Sequence, residues 1–393
     1  MYVSEYDFRV IAGYCLTAWQ SAPKRFGILH AFGTFLCVFC LSVVTFMIFE
    51  GDMDAFDQNT NKALPLVRAS VAAPVVAALR GAGVEPALVL DPLGVSEVQV
   101  MDRQNFLPHE TIYKIHQAAA DATSPDFCAQ VGQSIDLVRF LPLGDMLAEA
   151  LTLGDFFTRY TQAVSKESNA VTQSMLVEGE HAYFSAKRNF KFSVSPGQTD
   201  AFLASIWISL LHRALDFRWD PSQIILRVSE PDVLPKHFHG VQAIKCSPQG
   251  FSIRFPSTWL SHKLLSETLE NPSDLTSVTL DQHAPQDFLA GLQGLIRIHL
   301  GEPGFGVDEL ARLCGFHRET LNSRLAPYGQ LASQVISGVK LEEAKKLLGP
   351  AGKSVGETAL RLGYADPTAF SRAFRKWFGM SPSDFKKTVK EQG

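Results

Sequence analysis

The chain has 393 residues, 46% of them hydrophobic, which is enough apolar content for two domains with cores of their own. Its formal net charge of -4 says nothing by itself about nucleic acid. Its six cysteines (Cys15, Cys37, Cys40, Cys128, Cys246 and Cys314) exclude a disulfide framework and suit a reducing cytosol. Cys37 and Cys40 make a C-x-x-C, but inside an apolar run and with no second ligand pair, so we read them as buried or irrelevant rather than as a metal or redox site.

The first 52 residues form a hydrophobic N-terminal extension. Phe26–Phe49 spans 24 residues without a formal charge other than a His30 proton; as a helix it would be roughly 36 Å long and could cross a bilayer. Lys24 and Arg25 precede it, and Glu50, Asp52, Asp54 and Asp57 follow. The positive-inside rule would therefore keep the N-terminus in the cytoplasm and export the rest. Three accounts fit: a translated upstream stretch with Met53 as the true start, a genuine anchor in the opposite orientation, or a segment packed on the soluble part. We favour the first, because the composition from Met53 onward is that of an ordinary soluble protein. A secretory signal does not fit, since the apolar run starts late and no A-x-A site follows.

Residues 53–268 read as one α+β domain. The spacing predicts helices over Val67–Gly81, interrupted near its start by Pro74, and over Pro108–Ala122, with Ile112, Ile115 and His116 inward. Further helices are expected at Phe127–Ile135, at Leu143–Val164 with a break at Gly154, and at Asp200–Leu215, the most apolar. Val171–Glu178 and His181–Phe192 read as a hairpin around Gly179-Glu180. Strands at Ile224–Val228, Val241–Cys246 and Phe251–Phe255 would complete a small antiparallel sheet. Residues 269–285, with Pro272 and Pro285, read as a linker.

Residues 286–393 read as an all-α domain. The pattern Leu310-Ala311-Arg312-Leu313-Cys314-Gly315-Phe316, then Leu321 and Leu325, returns as Thr358-Ala359-Leu360-Arg361-Leu362-Gly363-Tyr364, then Phe370 and Phe374. Ala311 and Ala359 lie 48 positions apart, as do Gly315 and Gly363. A small residue, a turn glycine and an apolar i,i+4 pair in that order describe a helix-turn-helix. The two units cover 307–326 and 355–378, joined by a linker helix at 334–348 whose apolar stripe includes Val335, Val339 and Ala344. Asp366 and Pro367 supply a cap and a first helical position. Residues 285–393 hold 15 Lys+Arg against 11 Asp+Glu, a balance of +4, and the remainder carries -8. The basic excess sits in the second unit, which should supply most of the phosphate attraction.

On these residues, and on Gly379-Met380-Ser381-Pro382, the C-terminal region resembles the AraC/XylS family of bacterial transcription regulators. The resemblance implies two units that each send a second helix into the major groove of double-stranded DNA, with RNA polymerase as a further partner. Arg318, Asn322 and Arg324 are then the contact candidates in the first unit: Arg318 and Asn322 for bases, Arg324 for phosphate. Thr368, Ser371 and Arg372 are the base-facing candidates in the second, with Arg375 and Lys376 on phosphates. Glu319 and Ser323 depart from the family, which commonly has basic residues there. More diffusely, Leu79–Val84, Leu143–Ala148, Leu151–Gly154, Ile224–Pro231 and Phe238–Leu265 resemble the arabinose-binding-like sensor domain of one branch of that family. This implies an effector small molecule, not identified as arabinose, and a homodimerisation surface.

No H-e-x-x-H, G-x-S-x-G or Walker pattern occurs, so neither an enzyme nor a cofactor is expected. His237-Phe238-His239 would share one strand face, but further metal ligands are missing, so no metal is assigned. His116 and His212 read as satisfied core positions, and Trp207 and Phe202 as core. The sequence thus reads as a cytoplasmic, ligand-responsive regulator. The rivals are a membrane-anchored sensor-regulator using residues 26–49 and a ligand-independent DNA-binding protein whose front half only dimerises.

Overall fold

The computed structural model describes residues 63–135, 149–264, 283–302 and 304–392. The apolar run 26–49, the Cys37/Cys40 pair, most of the expected linker and the start of the helix expected from Leu143 lie outside them. Among the described residues no helix is long and apolar enough to cross a membrane.

The chain enters through strand β1 (Leu66–Arg68), paired antiparallel with β2 (Phe106–Pro108) and buried throughout. The helix expected from Val67 starts later, at α1 (Ala73–Leu79), after a 3-10 turn. Pro74 does not interrupt that helix but opens it, since the first turn needs no N–H from it. Val67 and Arg68 are claimed by Leu107 and Phe106 of β2, far along the chain, which local periodicity does not reveal. Two short helices went unforeseen, α2 (Pro86–Leu90) and α3 (Glu97–Met101). The latter opens on a Ser96/Gln99 capping box that the sequence does display.

Helix α4 (His109–Ala122) buries Ile112, Ile115 and His116 as expected. Helix α5 (Phe127–Ser134) lies so close to the backbone around Phe202 that a side chain at Gly132 would collide with the Phe202 carbonyl oxygen. The break expected at Gly154 falls just before it, at residues 150–152, and α6 (Leu153–Glu167) then starts with Gly154 in its first turn, capped by Thr152, against Leu260. Helix α7 (Gly197–Leu215) is buried nearly all round.

Strands β3 (Val171–Glu178), β4 (His181–Arg188), β5 (Ile225–Val228), β6 (Gln242–Lys245) and β7 (Gly250–Pro256) form one sheet in the order β3-β4-β7-β5-β6. The hairpin turns at Gly179-Glu180, with Gly179 at φ +57. The sheet is mixed rather than antiparallel, because β6 runs parallel to β5. The intervening residues cross over instead of turning back, and His237 and His239 lie in turns there, not on a strand. His239 stands 4.8 Å from the ring of His212, which is exposed rather than core. Among the described residues no cluster could hold a metal.

The inner face of β4 packs on α6 and α7 through Trp207, 4.6 Å from both Phe184 and Tyr160. Beside this aromatic core lies a buried polar network. Arg188 pairs with Asp200 and donates to the Tyr113 hydroxyl at 2.8 Å, while Asp200 also accepts from Ser229 Oγ at 3.0 Å. His116 meets Thr199 Oγ1 at 2.9 Å and His109 meets Ser168 Oγ at 2.8 Å.

Burial pushes both imidazoles down to about 3; at His109 the nearby Arg188 charge adds to it. Above pH ~6.5 folded and unfolded chains both hold these rings neutral. Below it the unfolded chain takes up protons that the folded chain refuses, so stability falls as pH drops from about 6.5 towards 3. Chemical denaturation at pH 7 and pH 5 should show a loss of about 2 kcal/mol per histidine. An unchanged midpoint would contradict it.

A second apolar core joins the first third of this domain to the C-terminal helices. Leu64, Leu66, Leu107 and Ile112 belong to the same buried cluster as Phe288, Leu292, Leu310, Leu321 and Phe370. Helix α8 (Phe288–His299), capped by Asp287, places Gly291 against Leu66 and Leu64, where a side chain would stand 3.1 Å from Leu66 Cδ1. The Asn169 amide ties the two sides together, accepting from Leu66 N at 2.9 Å and donating to the Leu64 and Pro285 carbonyls. Gln99 Nε2 reaches the Ile298 carbonyl at 3.1 Å.

Candidate nucleic-acid interface

The first unit is α9 (Val307–Leu313) and α10 (Arg318–Leu325); the second is α12 (Val355–Arg361) and α13 (Pro367–Phe378). The repeat extends to the backbone. Phe316 N donates to Ala311 O at 2.9 Å, and Tyr364 N to Ala359 O at 2.9 Å. Gly315 and Gly363 adopt φ +70 and +74, the left-handed turn conformation that side chains resist. At Gly363 a side chain would also meet the Leu300 carbonyl oxygen at 2.8 Å. Ala311 and Ala359 are buried, and Leu321, Leu325, Phe370 and Phe374 are each fully so. Both second helices therefore sit on the core by one edge and turn the other outward.

Helix α11 (Ala332–Leu348) joins the units, starting two residues before the expected boundary and burying Val335, Val339 and Ala344. Each end of the second unit is capped from within its own sequence. Ser354 and Glu357 make a reciprocal capping box on α12. Asp366 accepts from Thr368 N at 2.9 Å, with Pro367 next to it. Gly379 ends α13 in the left-handed region, and α14 (Pro382–Gln392) packs Phe385 5.7 Å from Phe374.

On the outward edge of α13, Thr368, Arg372, Arg375 and Lys376 are exposed, and Ser371 is half-buried with its hydroxyl donating to the Pro367 carbonyl. This puts a hydroxyl donor and three cations along one helix face. The first unit is arranged differently. Arg318 is exposed, 3.5 Å from Asp308. Asn322 Oδ1 accepts from Ala332 N at 3.0 Å, so this oxygen fixes the start of α11. The Arg324 guanidinium lies 4.5 Å over the Phe316 ring and 5.8 Å over Phe288, and burial lowers its pKa. Glu309 and Arg312 pair within α9, and Glu319 is exposed at the start of α10. The first unit thus presents a balanced surface and the second a basic one.

Residues 304–388 match a helix-turn-helix domain family model. The chain is 26% identical over 158 residues to the HTH-type transcriptional regulator VirS of Mycobacterium tuberculosis, across 37% of this chain and 46% of that protein. It is 31% identical over 150 residues to the ornithine utilization regulator of Pseudomonas aeruginosa, across 35% and 44%. The chain therefore spans less than half the length of these curated relatives. The crystal structure of transcriptional regulator CdpR from Pseudomonas aeruginosa aligns over 80% of this chain and 96% of that one, with 16% identity and a TM-score of 0.35.

Proposed function

We propose that this chain, whose C-terminal domain is a helix-turn-helix domain of the AraC type, is a transcription regulator that binds double-stranded DNA with both units and answers to a small molecule held by its N-terminal α+β domain. The observation that carries the DNA reading is the repeated unit with an outward, cationic second helix: Arg372, Arg375 and Lys376 on one exposed edge of α13. Arg372 and Thr368 are the base readers, with the Ser371 oxygen as an acceptor, its proton being given to the Pro367 carbonyl; Arg375 and Lys376 hold phosphates. In the first unit Arg318 and Asn322 read bases through the groups that capping and pairing leave outward, and Arg324 adds charge from its aromatic seat. The protein acts in the cytoplasm, as a homodimer, in contact with RNA polymerase.

Selection of random duplex DNA by the full chain at physiological salt tests this. Two enriched blocks about one helical turn apart, roughly 34 Å, are expected if both units read major grooves. One block would leave base reading to the second unit alone, and no enrichment despite salt-sensitive binding would overturn sequence reading altogether. Glu319 gives a narrower check. Its carboxylate stands exposed in the first turn of α10, where a DNA backbone would approach. Glu319→Ala should raise affinity for arbitrary duplex about two- to fivefold, the scale of one exposed charge interaction. Weaker binding, measured by fluorescence anisotropy, would speak against this docking.

A further inference from the structure

A cavity of about 90 Å³ lies among β1, α4, α6, α7 and the sheet. Its walls are mostly apolar, including Val71, Ile112, Val164, Leu203, Ile206 and Phe251. The charged side chains that reach it are already matched: Arg68 with Glu167 at 2.5 Å, and Arg188 with Asp200. His109, also in the wall, is kept neutral by burial and is bonded to Ser168. An ion entering here would lose its water and find no unmatched countercharge. Two wall residues keep polar atoms with no hydrogen-bond partner among the described residues, the Gln173 Oε1 acceptor and the Trp207 Nε1 donor. Trp207 is only 1% exposed. A hydroxyl or a carboxamide offers both a donor and an acceptor and could satisfy them.

The cavity wall is also part of the joint to the C-terminal domain. Val67 and Arg68 of β1 line it. The neighbouring Leu66 packs on Gly291 of α8 and is held by Asn169, which also holds the Pro285 carbonyl just before that helix. Ala284 N donates to the Lys166 carbonyl beside the wall residue Glu167.

We propose that this cavity is the effector site, that it takes a small uncharged molecule of at most about six heavy atoms in all, with a hydroxyl or carboxamide head on a short apolar body, and that β1 carries its occupancy to α8. The upper limit on size follows from comparison with a larger cavity, of ~150 Å³, that accepts the six heavy atoms of benzene. The proposal rests on the reading of the chain as a ligand-responsive DNA-binding regulator.

The test uses the full chain and four size-matched probes, isobutanol, isobutyramide, isobutyrate and isobutylammonium, followed by saturation-transfer NMR. The two neutral probes should bind saturably and the two ions at least about tenfold more weakly. Ala186→Leu, which fills the cavity from β4, should abolish binding. Should that variant not fold, Gln173→Leu removes the acceptor from a half-buried strand position and should weaken isobutanol about fivefold. No saturable neutral probe, or a preference for an ion, overturns the site. On the selected duplex, saturating isobutanol should change affinity about fivefold or more. An unchanged affinity overturns transmission through β1. A chain that binds DNA but no probe loses the cavity and keeps the DNA reading; one that binds isobutanol but no DNA does the reverse.

Discussion

Arg372→Ala is expected to remove sequence preference in the second half of the recognition site. Arg372 stands exposed on α13 one turn beyond Thr368, on the edge opposite the fully buried Phe370 and Phe374. A bidentate arginine–guanine contact is worth about 1–3 kcal/mol of discrimination, so the ratio of specific to arbitrary binding should fall by about five- to 150-fold. Binding to arbitrary duplex should fall less, because Arg375 and Lys376 remain. These two make the contrast: Lys376→Ala should weaken all sequences alike and lower the salt slope by about one counterion. Competition between the selected duplex and a scrambled one, repeated at several salt concentrations, separates the two effects. An Arg372→Ala protein with its sequence preference intact would move base reading elsewhere on α13 or to α10.

The helix-turn-helix pair was legible because everything it needs is local. The turn glycines, the alanines behind them, the Ser354/Glu357 box and the Asp366-Pro367 start lie within a few residues of what they fix, and the structure forms each one. What was not legible depends on partners far along the chain. Asn322 has a readable side chain, but its bond to Ala332 N depends on how α10 and α11 meet. Arg324 carries a charge suited to phosphate, yet Phe316 and Phe288 together form the aromatic seat over which it lies. Periodicity around Val67 matched a helix, and β2 made those residues a strand. The joint between Leu64, Leu66 and α8 is hidden in the sequence for the same reason: no pattern in residues 64–66 announces Gly291. The cavity beside that joint is assembled from β1, three helices and the sheet, so no stretch of sequence displays it.

Removing the carboxylate of Asp200 is expected to cost more stability than any change at the surface. Asp200 is fully buried, and so, nearly, is its partner Arg188. The guanidinium also donates to the Tyr113 hydroxyl and to the Pro248 carbonyl at 2.9 Å, so it is anchored from three sides and cannot swing out to water. Asp200→Ala would leave that cation buried without its counterion, and the Ser229 hydroxyl without its acceptor. Breaking one partner of a buried pair costs about 3–5 kcal/mol, a large part of the stability of an ordinary domain. Removing both charges is the informative control. The double variant Asp200→Leu with Arg188→Met gives up the Coulombic attraction but also the desolvation of two ions, and should be more stable than Asp200→Ala alone. Equilibrium denaturation of the three proteins at pH 7 decides it. If the double variant proved the least stable of them, the hydrogen bonds to Tyr113, Pro248 and Ser229 would outweigh the ion pair in holding α7 to β4 and to the wall of the cavity.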